Sequence, residues 1–169
     1  MPMSSRTPAG VVAILLVAFF TDGARAETVA ETLARWGLLG TWATDCSRPP
    51  SQANHRLSYV ARAGGRAFHE RNFGNTRDSR EIRAAALRPG GLIEVVADFG
   101  ALGGVRKWTM IKDADGRIRT LANSRIDGSD ATITDGRLVV GSGAKTAWQT
   151  RCPVNPKGLR EVRRALPRI

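Results

Sequence analysis

From Gly40 to Cys152 apolar and polar residues alternate in short runs, each ended by glycine, asparagine or aspartate. Alternation of period two places apolar side chains on one face of a strand. The pattern predicts strands at Gly40–Cys46, Leu57–Arg62, Arg66–Phe73, Glu81–Leu87, Leu92–Phe99, Val105–Lys112, Arg117–Ser124, Ala131–Thr134, Arg137–Val140 and Thr146–Cys152. Between them lie Ala63-Gly64-Gly65, Pro89-Gly90-Gly91, Asp113-Ala114-Asp115-Gly116 and Asp135-Gly136, whose residues tolerate the positive φ of tight turns. Parallel crossovers need a dozen or more residues, so these connections predict an antiparallel meander. Ahead of it, residues 27–36 set Val29, Leu33 and Trp36 at helical spacing, with Gly37 as a stop.

Eight to ten consecutive short strands expose two sheet edges, and closing the meander into an up-and-down barrel removes both. The expected fold is therefore all-β, an antiparallel barrel with short N- and C-terminal helices; a two-sheet sandwich is the alternative. Cys46 falls in the first strand and Cys152 in the last. These strands are neighbours in a closed meander, so a disulfide there would staple the seam. After Cys152, Asn155 and Pro156 open a short helix that carries Leu159, Val162 and Leu166 on one face and Arg160, Arg163 and Arg164 on the other.

Arg6, the apolar run Val11 to Phe20 and Ala24-Arg25-Ala26 have the layout of a secretory signal cleaved after Ala26. The run is ten residues long, about half of what a bilayer span needs. The organisation read from the chain is a signal at 1–26, a barrel domain at 27–152 and a basic tail at 153–169. Export predicts a periplasmic or secreted, disulfide-bonded monomer that does not span the membrane.

The 169 residues carry a formal charge of +11. Residues 1–26 hold two arginines and one aspartate, so the basicity belongs almost wholly to the rest. A hydrophobic content of 42% excludes a disordered chain. Without a recognition helix or stacking motif, and outside the cytoplasm, nucleic acid is not the expected partner. The charge instead suggests contact with anionic lipid, lipopolysaccharide or glycan. The tail helix either lies on such a surface or packs its apolar stripe on the barrel flank.

The sequence argues against catalysis. His55 and His69 have no metal-ligand spacing, and no nucleophile elbow is present. His69 reads as a half-exposed strand residue, on the face opposite Glu70. Asp113 and Asp115 open a loop with no acidic ligand at its twelfth position, so a hairpin turn is expected and not a calcium site. No cofactor and no metal are expected. Tyr59, Phe99, Trp108 and Met110 fall on apolar strand faces and are the candidate lining of a ligand cavity. Arginine recurs on the strands at Arg62, Arg71, Arg83, Arg106, Arg119 and Arg125. Arg106 shares parity with Trp108 and Met110 and is the candidate partner of an anionic head group. Two functions follow. One is a carrier of a small apolar or amphipathic ligand, anionic ones included. The other is a solid barrel that binds an envelope component or a protease through its surface. A cavity of about 300 Å³ or more inside the barrel separates them.

Gly40-Thr41-Trp42 follows the helix and opens the first strand. This placement resembles the lipocalins and their barrel relatives. The resemblance implies that Gly40 lets the chain bend into the strand and that Trp42 closes one barrel end. It also implies a late arginine, Arg151 or else Arg125, stacked on the indole. The Trp42-x-x-Asp45-Cys46-Ser47 start and Trp148-x-x-Arg151-Cys152 end are also similar to a group of small secreted proteins of Gram-negative bacteria.

Overall fold

The computed structural model describes residues 26–141 and 143–153. The expected signal segment, apart from Ala26, and all of the expected basic tail except Pro153 lie outside them. Ten antiparallel strands form one sheet in the order β10-β1-β2-β3-β4-β5-β6-β7-β8-β9. They are β1 Gly40–Ala43, β2 Arg56–Ala61, β3 Ala67–Asn72, β4 Arg77–Arg88, β5 Leu92–Asp98, β6 Val105–Lys112, β7 Ile118–Arg125, β8 Ile133–Thr134, β9 Arg137–Leu138 and β10 Thr150–Arg151. The sheet curls into a half-barrel. Its first strand pairs with its last through Trp42↔Arg151 and Ala43↔Thr150. Just ahead of β10, Gln149 exchanges two backbone hydrogen bonds with Ile118 at the start of β7, of 2.8 and 3.0 Å. Residues 149–151 therefore tie β1 to β7. The Cys46–Cys152 disulfide sits beside this tie, with Cα atoms 5.3 Å apart, as the seam argument requires.

The helix α1 spans Val29–Trp36. A capping box starts it: Thr28 Oγ1 accepts from Glu31 N, and the Glu31 carboxylate accepts from Thr28 N at 2.8 Å. Gly37, at φ 81°, ends it in the left-handed conformation. Leu33 and Trp36 face the core. The Trp36 indole donates to the Gly91 carbonyl in the β4–β5 turn at 2.8 Å, and Lys112 at the end of β6 donates to the Trp36 carbonyl. Thr28 fills the space where a Cβ on Gly65, in the β2–β3 turn, would stand. Thus α1 caps the barrel end formed by the β2–β3, β4–β5 and β6–β7 turns. A second helix, Gly100–Gly103, lies in the β5–β6 connection and has no counterpart in the sequence pattern.

β8 and β9 are two residues each where four were expected, and three other strands depart further from the pattern. β1 stops at Ala43 because Asp45 accepts from the Ser47 backbone and hydroxyl and Asn54 holds Asp45 N. β4 starts four residues before Glu81, in the polar run Arg77-Asp78-Ser79-Arg80, where pairing with β3 overrides composition. It bulges between Ile82 and Ala84 before pairing with β5. β10 is only two residues long because the four-residue β1 offers it little ladder.

Trp42 is 2% exposed. Its indole donates to the Leu38 carbonyl at 2.7 Å, and Arg151 Cζ lies 5.6 Å from its centroid. Arg151 also donates to the Leu39 carbonyl. Gly40 has φ +128°, and a Cβ there would stand 2.9 Å from Arg151 Nε. Glycine is required twice, by conformation and by space. Arg125 instead pairs with Asp130 at 3.6 Å.

Candidate functional site

The inward face gathers four of the five residues marked by the sequence. The Tyr59 hydroxyl is 3.5 Å from Met110 Sδ, the Trp108 indole nitrogen is 3.4 Å from that hydroxyl, and the Phe99 and Trp108 centroids are 6.0 Å apart. Tyr59, Trp108 and Met110 are buried and Phe99 partly so. They pack against one another and fill the middle of the barrel. Burial pushes the Tyr59 phenol well above its ordinary pKa.

His69 belongs to this cluster. It is 6% exposed, which corrects the half-exposed position expected from sequence. Its ring stacks on Tyr59 at 4.8 Å, beside Trp108 at 5.2 Å, and neither ring nitrogen has a hydrogen-bond partner. Alternation gave its face; the aromatic rings that bury it come from β2 and β6, which only the register reveals. Burial above all, with the Arg71 charge adding and Asp78 opposing, lowers its pKa to about 3. The unfolded chain titrates near 6.5, so below that pH it takes up a proton that the folded state refuses. Stability is full above about pH 6.5 and falls as the pH drops toward 3, by about 1.4 kcal/mol per unit. Urea melts should show about 2 kcal/mol lost between pH 7 and pH 5, and His69→Phe should remove most of that slope. An equal slope in the variant would assign it to other groups.

Arg106 stands apart from the cluster. Its guanidinium donates to Asn123 Oδ1 at 2.8 Å, to the Asp130 carboxylate at 2.7 Å and to the Asp130 carbonyl at 2.7 Å. With its side chain 12% exposed, it anchors the loop after β7. Asp130 is held below the usual carboxylate range by that hydrogen bond first and the Arg106 charge second. Across β3 and β4 Arg71 forms a two-point pair with Asp78, and Arg80 Nε, buried without a hydrogen bond, lies 3.7 Å from the same carboxylate.

The outer face of β1 to β4 holds a groove of about 1240 Å³. Register aligns two rows across it. One is Thr41, Ser58, Glu70 and Ser79; the other is Arg56, Asn72 and Arg77. Leu39, Arg151, Cys152 and Pro153 line its β10 end. Thr41 and Ser58 join hydroxyls at 2.8 Å. Arg56 donates to the carbonyls of Cys46 and Arg48 at 2.9 and 2.8 Å, while its Nε is buried without a partner. The sequence did not mark this groove. Its residues come from four hairpin-linked strands and the β10 end, and each alone reads as a solvated strand position.

The chain matches no protein-family profile, no curated protein and no solved structure. Among the described residues no helix is long and apolar enough to cross a membrane.

Proposed function

We propose that this chain is a lipocalin-like, non-enzymatic binding protein of the periplasm or secreted space that works from the outside of a filled barrel, holding an envelope partner in the groove across β1 to β4. One observation carries the reading: Tyr59, Trp108 and Met110 occupy the barrel's middle, whereas the large concavity lies on the opposite face of the sheet. The groove exceeds the 300–1,000 Å³ or so of ordinary small-molecule sites. The disulfide and the signal-like N-terminus support the compartment.

A carrier of a small amphipathic ligand is the second reading. It is favoured by the two unpartnered nitrogens of buried His69, which a polar ligand group inside the barrel would satisfy. Native mass spectrometry of the protein purified from its own periplasm separates the two. The outer-groove reading expects the bare mass of the chain. A retained small molecule that His69→Phe releases would overturn it in favour of the carrier.

A further inference from the structure

On β2 to β5 several arginines outside the groove are neutralised locally, while among the described residues Arg119 and Arg137 on β7 and β9 meet only a ring and a carbonyl. Arg62 pairs with Glu70 at 2.8 Å, Arg66 with Glu81 at 3.0 Å, Arg83 with Asp98 at 2.6 Å and Arg88 with Glu94 at 2.6 Å. The groove gathers several arginines of the second kind. Arg56 reaches only backbone carbonyls, Arg151 reaches a carbonyl and an indole, and the Arg77 guanidinium has no hydrogen bond or ion pair among the described residues. The two groove acids are already engaged, Glu70 by Arg62 and Asp78 by Arg71. Three arginines without a carboxylate thus share one concavity, where low-dielectric walls focus their field.

Arg56 and Arg77 are two strands apart in one row, with Asn72 between them. Two strand spacings put their backbones roughly 10 Å apart, within reach of two arginine side chains converging on one group. Hydroxyls of Ser58 and Ser79 stand in the next row. Two guanidiniums drawn from one row, with neutral amide and hydroxyl donors beside them, would suit a tetrahedral oxyanion, which accepts more hydrogen bonds than a planar carboxylate. We propose that the Arg56–Asn72–Arg77 row of the outer groove is a phosphate-binding site. The proposal rests on the groove being the working surface and names the chemistry that it takes: a phosphate group, free or on a lipid headgroup.

The test follows the arginine Nε–H and tryptophan indole N–H signals of the whole processed protein by NMR at about 0.15 M salt, where long-range attraction is screened. One arm titrates inorganic pyrophosphate; the other adds vesicles of phosphatidylglycerol in phosphatidylcholine. Saturating shifts confined to Arg56 and Arg77 are expected. Arg77→Ala should weaken binding about tenfold, the size of one charge-assisted contact. Arg77 is exposed and unpartnered, so this variant keeps its fold. Arg137→Ala, outside the groove, should bind as the parent does. Saturation by pyrophosphate alone points to a soluble phosphate compound, and saturation by vesicles to a headgroup. Shifts spread evenly over exposed arginines, or equal losses in Arg77→Ala and Arg137→Ala, would overturn the proposal. Shifts at the Trp108 indole with the groove silent would instead defeat the outer-surface reading beneath it.

Discussion

Replacing Cys46 and Cys152 together by serine is expected to cost about 4 kcal/mol and to lower the urea midpoint accordingly. The bond closes a loop between residues 106 apart, and chain entropy rises with loop length. The seam has little else to hold it. β10 contributes two residues, two register pairs to β1 and, through Gln149, two hydrogen bonds to Ile118. Without the disulfide this edge should open before the rest of the sheet. Hydrogen exchange reads that directly: the Cys152 amide, which donates to Thr41 O at 2.7 Å, becomes a serine amide and should lose protection first, together with Gln149 N–H. An unchanged midpoint would show that the short ladder is sufficient.

Trp42→Ala is expected to destabilise the fold by about 3–5 kcal/mol. The indole is buried in the cluster that includes Leu33, Leu38 and Tyr59, so its loss leaves a large cavity. It also orphans the Leu38 carbonyl and removes the ring beneath Arg151. Arg151→Ala removes the cation–π contact together with the hydrogen bond to the Leu39 carbonyl, leaves the indole in place and should cost about 1–2 kcal/mol. Thermal melts of the two variants distinguish a structural plug from a ligand contact. A Trp42→Ala protein that melts like the parent while losing a bound molecule would assign Trp42 to a site.

Strand positions were legible wherever alternation met a glycine turn: β6 runs from Val105 to Lys112 as the pattern predicts. The seam was legible too, because a meander must return to its first strand and the two cysteines lie there. Composition misled where long-range pairing decided. The first half of β4 is charged and holds its place by register with β3 and by the Arg71–Asp78 pair. His69 looked ordinary because the rings that bury it arrive from other strands. The groove was invisible for the same reason. Thr41, Ser58 and Arg77 become neighbours only after the rows align, and whether an arginine lacks a carboxylate is a property of the folded surface. Arg106 had the inward parity that the sequence assigned, and the anion it meets is Asp130 of its own chain.

The tie formed by residues 149–151 has a consequence for the order of assembly. β2 to β7 are joined by hairpins and pair with their immediate neighbours in the chain, so they are able to zip locally and early. β1 is different, since its second neighbour follows it by about a hundred residues. Until that segment arrives, β1 and β7 both present unpaired backbone, the kind of edge that recruits other chains. The interval between sheet formation and arrival of the tie is therefore the period of greatest aggregation risk, and closure of a loop of about a hundred residues, not hairpin formation, sets its length.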